Sequence, residues 1–197
     1  MAISLREQHA QATRERILAA VADLLERDTL EELTVPAVAE ASGVSLRTVY
    51  RYYPTREELL EAAGRWIGDE LLRHPYPRHL DEVAELYRIG ARDFDERPGL
   101  VRALAFSQRG REVRGYRRRE RMEALARALR DELPALSEGE RRQAEGVLGY
   151  LHNMLAYTTL REENGLSGDE IGEAIGWAIT TLIADLRKRN RKARRDT

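Results

Sequence analysis

Apolar positions recur along this chain at spacings of three and four. No alternating run is long enough for a strand, so the pattern predicts helices throughout. Ile17, Leu18, Val21, Leu24 and Leu25 form the first stripe and give a helix over about 13–27. Residues 1–12 show no period and read as a polar arm. Two short helices follow, each bounded by its own chemistry. Thr34 is an N-cap whose neighbour Leu33 can staple onto Val38. Gly43 can take the left-handed turn that ends this helix, and Ser45 caps the next, with Val44 and Val49 as its staple. Pro54 stops it, and Thr55 with Glu58 forms a capping box for a fourth helix, which buries Leu59, Leu60, Ala63, Ile67 and Leu71 and ends near Arg73.

The second half continues in the same way. His74-Pro75-Tyr76-Pro77 breaks the chain. Leu80, Val83, Ala84, Tyr87, Ala91 and Phe94 then share a face, until Pro98-Gly99 interrupts and a short helix follows through Leu100, Val101, Leu104 and Ala105. The basic run Arg109 to Arg121 reads as a solvated helix face, with binding of an anionic effector as its alternative. It leads to Met122, Leu125, Leu129 and Leu133, and Pro134 ends that helix. Ser137 and Glu140 open a long helix aligning Ala144, Val147, Leu148, Leu151, Leu155 and Thr158. Asn164-Gly165 turns the chain, and Ser167 with Glu170 caps a last helix through Ile171, Ile175, Ile179, Leu182, Ile183 and Leu186. The segment from Arg187 reads as a disordered basic tail. The fold class is all-α, with about nine helices.

The second of the two short helices, after Ser45, is chemically distinct. On a helical projection Leu46, Val49 and Tyr53 fall on one face, with Arg47, Thr48 and Arg51 opposite. Between Glu40 and Glu57 the only charges are Arg47, Arg51 and Arg56. That is the layout of a helix-turn-helix presenting its second helix to a major groove. The segments Thr13–Leu25 and Leu33–Ala63 resemble the N-terminal domain of the TetR family of transcriptional repressors. The likeness rests on Thr34, Val38, Ala39, Gly43, Val44, Ser45, Thr48, Val49, Tyr50, Glu57 and Leu59, and covers about the first third of the chain. Tyr52, Tyr53 and Arg56 stand where the family has His, Phe and Lys, and Leu46 stands where many members carry a polar base reader.

The resemblance implies a helix-turn-helix domain over residues 1–60 and a helical effector-binding and dimerisation domain over 61–197. Thr34, Ser45, Leu46, Arg47, Thr48, Tyr50, Arg51, Tyr52 and Arg56 are the expected DNA contacts. Arg47 and Thr48 reach base edges, while Tyr50, Tyr52, Thr34 and Arg56 hold phosphates. Trp66, Tyr87, Phe94, Phe106, Met122, His152 and Tyr157 are candidates to line a pocket for an unidentified small-molecule effector. His152 and Asn153 draw notice as polar residues within an otherwise apolar helix. Val147, Leu148, Leu151, Leu155, Ile175, Ile179, Leu182 and Leu186 would form a homodimer interface, with Gly146, Gly149, Ala156, Gly172 and Gly176 permitting close approach. Two other readings stay open: a small-molecule-binding protein with a vestigial helix-turn-helix, and a ligand-independent DNA-binding adaptor.

Composition narrows the rest. The 197 residues carry a net charge of −1, so any affinity for a DNA operator must come from local charge. Asp23, Glu26, Asp28, Glu31 and Glu32 all lie outside the acid-free window, and a binder with so little excess charge should be sensitive to salt. There is no cysteine, which excludes disulfides, zinc–thiolate sites and Cys nucleophiles. No apolar run approaches the ~20 residues of a membrane span, and no leader is evident, so a cytoplasmic location is expected. Nucleotide-binding, hydrolase and metalloprotease motifs are missing, and no enzymatic activity, cofactor or metal is expected.

Overall fold

The computed structural model describes residues 4–27, 33–71 and 75–195. Residues 1–3 of the arm, Asp28, Glu31, Glu32, Arg73 and His74 lie outside these. Ten helices, and no strand, occur among the described residues. The chain divides into two compact units, one of residues 1–70 and 99–117, the other of residues 71–98 and 118–197.

The first unit holds α1 (Leu5–Glu26), α2 (Val35–Ser42), α3 (Leu46–Tyr52), nearly all of α4 (Arg56–Leu71) and of α6 (Pro98–Phe106), and the start of α7 (Gln108–Glu132). Its core comprises Ile17, Leu18, Val21 and Leu25 of α1, Val38 of α2, Val49 of α3, and Leu59, Leu60, Ala63 and Ile67 of α4. Helix α1 begins at Leu5, eight residues before the expected start at residue 13, so most of the expected arm is helical. Ser4 and Glu7 close a reciprocal capping box there, which satisfies orphan N–H groups without any buried face.

The second unit holds α5 (Leu80–Glu96), the rest of α7, α8 (Glu138–Leu151), α9 (Met154–Asn164) and α10 (Gly168–Ala193). Helix α10 packs along α5, and also touches α8 and α9. Gly172 and Gly176 serve that packing: a β-carbon would lie 3.2 Å from Arg88 Cα at the first and 2.8 Å from the Arg88 guanidinium at the second. Asp95 of α5 ties down the start of α10, accepting from the Gly168 N–H at 2.7 Å, from the Tyr157 hydroxyl and from Arg161.

Three expectations need correction here. The long helix after Ser137 is two helices, because the chain leaves helical geometry at His152 and the Asn153 side chain caps α9 by accepting from the Leu155 N–H. The two polar residues are therefore the break itself. The expected tail is also helical as far as Ala193. Arg187 pairs with Asp81 and Glu132, and the buried Asn190 accepts from the Ala135 N–H at 2.8 Å. Finally, the basic run is not wholly solvated. The inward face of α7 passes straight through it, with Val113 and Arg121 buried and Arg117 paired to Asp69.

Candidate nucleic-acid interface

Each boundary of α2 and α3 is held by the residue that its sequence supplies. Thr34 accepts from the Ala37 N–H, and Pro36 occupies the first turn, where its missing donor costs nothing. Gly43 has φ of 65°, the left-handed conformation that costs an L-residue with a side chain about 1–2 kcal/mol. Ser45 accepts from the Thr48 N–H at 3.2 Å, and the two hydroxyls lie 2.8 Å apart. Val49 and Tyr53 are buried, which anchors α3 from beneath.

The opposite face is open. Arg47, Tyr50 and Arg51 are exposed, and Thr48 is half-buried. No hydrogen bond or ion pair engages Arg47 among the described residues. Leu46, expected on the packed face, is 41% exposed. It is the first residue of α3, and helical side chains lean toward the N-terminus, so it points past the end of that face.

Two features of the site escaped the sequence reading. Two cations lie over the Tyr52 ring: the Arg14 guanidinium is 5.2 Å from its centroid and that of Arg51 is 5.0 Å away. Helix α1 thus adds a positive charge beside α3, and the aromatic ring orders it. The only sequence signal was an Arg on the polar side of α1. Secondly, Arg56 is already engaged. Its guanidinium makes a two-pronged pair with Glu112 at 2.8 and 3.2 Å, and its Nε donates to the Leu33 carbonyl. This bond holds the Glu112 carboxyl below the usual carboxylate range, so the pair is intact at neutral pH and is lost only as pH falls through the lowered value.

The remaining candidates separate. Tyr87, Phe94 and His152 line one cavity of the second unit, together with Leu86, Gly90, Arg121, Asn153 and Met154. Tyr157 is fully buried in the Asp95 cluster, and Met122 fills the space over Gly149. Trp66 and Phe106 belong to the first unit, the former half-buried and the latter exposed. Among the candidate dimer residues, Leu148 and Ile179 are fully covered within the protomer, and Ile175 and Leu186 nearly so. Leu151, Leu155 and Leu182 are half-buried and Val147 is exposed. Tyr150 and Trp177, which the reading passed over, are more exposed still.

A short helix, capped at both turns, that buries one face and offers Arg47 on the other defines a helix-turn-helix DNA-binding transcriptional regulator. Known proteins agree. The model of the "Bacterial regulatory proteins, tetR family" matches residues 17–63, a span containing all of α2 and α3. Over 160 residues the chain is 31% identical to the nucleoid occlusion factor SlmA of Cronobacter sakazakii, covering 73% of this chain and 81% of that protein. NalD, the secondary repressor of the MexAB-OprM multidrug efflux pump in Pseudomonas aeruginosa, shares the fold with a TM-score of 0.59 at 18% identity, over 88% of this chain and 96% of that one. A tetR-family transcriptional regulator from Streptomyces coelicolor has a TM-score of 0.57 at 17% identity, over 98% and 86%. The chain belongs to the TetR family of bacterial regulatory proteins. No helix among the described residues is long and apolar enough to cross a membrane.

Proposed function

We propose that this protein is a homodimeric repressor that reads a palindromic operator and responds to a small-molecule effector. Residues 1–60 read DNA, and residues 61–197 dimerise and bind the effector. The observation that carries this reading is Arg47, an exposed cation with no partner among the described residues, on the outer face of a helix capped by Ser45. A bidentate Arg is the commonest specific contact to guanine. Thr48 and Leu46 flank it, the latter available to a thymine methyl, with Arg51 as a further candidate base reader, while Thr34, Tyr50 and Tyr52 serve phosphates. One short helix reads too few base pairs for useful specificity, which motivates the dimer. Sites selected from a random DNA pool should be inverted repeats with half-site centres about 10 base pairs apart, or a multiple of that. Selection of a single unpaired half-site would overturn the dimeric reading.

Arg56 stands apart from this set, because Glu112 occupies its guanidinium. Its role in the resting protein is a clamp between the start of α4 and α7. Glu112→Gln should release it toward phosphate. Affinity for any DNA should then rise, and the slope of log K against log salt should steepen by roughly 0.9, the value of one added phosphate contact. An unchanged slope would show that Arg56 cannot reach the backbone.

A second reading is favoured by the relative named as a nucleoid occlusion factor. On it the protein binds DNA without an effector and works through protein partners. Calorimetry separates the two, since an effector that releases DNA must bind the free dimer more tightly than the operator complex, by a factor that operator binding returns.

A further inference from the structure

We propose that the cavity between α5 and the α8–α9 break binds the carboxylate of a small molecule with an apolar body. The proposal rests on reading the second unit as the effector-binding part, and names the chemistry of that effector.

The cavity is lined by Leu86, Tyr87, Gly90 and Phe94 of α5, Arg121 of α7, and His152, Asn153 and Met154 at the break. The Tyr87 side chain is 97% buried, being 3% exposed, and its hydroxyl has no hydrogen-bond partner among the described residues. Buried hydroxyls are almost always bonded, so an unbonded one at a cavity wall marks a donor awaiting an acceptor. Arg121 is 8% exposed. A guanidinium carries five donors and can serve a ligand oxygen as well as a partner in the protein. The imidazole of His152 lies 6.0 Å from the Tyr87 ring, centroid to centroid, and the Asn153 amide nitrogen adds a further donor, its oxygen being used as the α9 cap. None of the described lining residues is Asp or Glu. Among the described lining side chains donors therefore outnumber acceptors, and the one permanently charged group is the Arg121 guanidinium, which keeps donors beyond those its partner in the protein uses.

That balance selects an anion with planar oxygens, which a guanidinium can meet with two parallel hydrogen bonds while the phenol donates a third. The remaining walls, Leu86, Phe94 and Met154, are apolar and suit an aromatic or aliphatic body. The cavity volume is about 30 Å³, room for a carboxylate but not for a ring. A larger ligand must displace part of the wall. The segment best able to yield is His152–Asn153, where helical geometry is already interrupted. Binding would thus change the angle between α8 and α9.

The test is calorimetry on the full-length protein with acetate, benzoate and octanoate, against benzamide and octanamide as neutral isosteres and inorganic phosphate as a simple anion. Benzoate or octanoate should bind saturably, and at least about tenfold more tightly than its amide. Tyr87→Phe removes one oxygen only. It should keep the wild-type circular dichroism and melting profile and weaken carboxylate binding by about tenfold. Arg121→Gln should abolish the preference for acid over amide. Should Arg121→Gln fail to fold, the Tyr87→Phe comparison decides alone. No binding by any carboxylate, equal binding of acid and amide, stronger binding of phosphate, or an unaltered affinity in Tyr87→Phe would each overturn the proposal. Retention of selected operator DNA is measured separately in the same ligands. If carboxylates bind through Tyr87 and DNA retention does not change, the site stands and the effector-controlled repression fails.

Discussion

Replacing Arg47 with alanine is expected to weaken specific DNA binding by about 1–3 kcal/mol and to relax base preference at one position in each half-site. The substitution is a clean one. Arg47 is exposed and has no hydrogen bond or ion pair among the described residues, so its removal breaks nothing within the protein. Alanine is the strongest helix former, and the Ser45 cap bonds to the Thr48 N–H, not to residue 47. Helix α3 therefore persists, and the loss reports on DNA alone. The measurement is equilibrium binding to operator and to random duplex at several salt concentrations. A base contact lowers operator affinity selectively. A phosphate contact lowers both equally and flattens the salt slope by about one. Equal losses would thus remove Arg47 from the base-reading set and move the role toward Thr48 or Leu46.

The DNA-reading unit was legible because its determinants are local. Caps at Thr34 and Ser45, the turn at Gly43 and the stop at Pro54 act within four residues, and all stand in the structure as the sequence implies. What escaped depends on partners distant in sequence. Arg56 carries the same charge whether it faces phosphate or Glu112, and only the fold brings residue 112 beside it. Arg14 acquires meaning once Tyr52 is placed over it. The inward face of α7 was invisible because Arg117 and Arg121 occupy positions that a hydrophobic pattern assigns to solvent. At Arg117 the space comes from Gly68, whose β-carbon would collide with the guanidinium. The break at His152–Asn153 was hidden for the opposite reason, since the apolar positions from Ala144 to Thr158 keep a helical period across it. In the second unit, stripes proposed for a partner turned out to serve the protomer first: Leu148 and Ile179 are fully covered without a second chain.

That last observation redirects the test of assembly. A charge at Ile179 should unfold the protomer, because the side chain is 0% exposed and an unpaired buried charge costs several kcal/mol. It cannot report on dimerisation. The residues free to meet a partner are those on the outer faces. Among these are Ala174, Trp177 and Thr181 of α10, and Gln143, Gly146, Val147 and Tyr150 of α8. Trp177 is 71% exposed, the largest value among the exposed large apolar side chains. A tryptophan can bury some 150–250 Å² at an interface and is the residue type most enriched where truncation costs about 2 kcal/mol or more. Trp177→Glu should therefore raise the dimer dissociation constant by roughly 30-fold or more, while the core beneath stays intact. Sedimentation equilibrium should show monomers at concentrations where the wild-type chain is dimeric, with circular dichroism retained. Affinity for the inverted repeat should fall toward that for a single half-site, since a monomer engages only one. A Trp177→Glu dimer of unchanged strength would place the two-fold contact on another face, leaving the fold of the protomer and the α3 reading surface as they are.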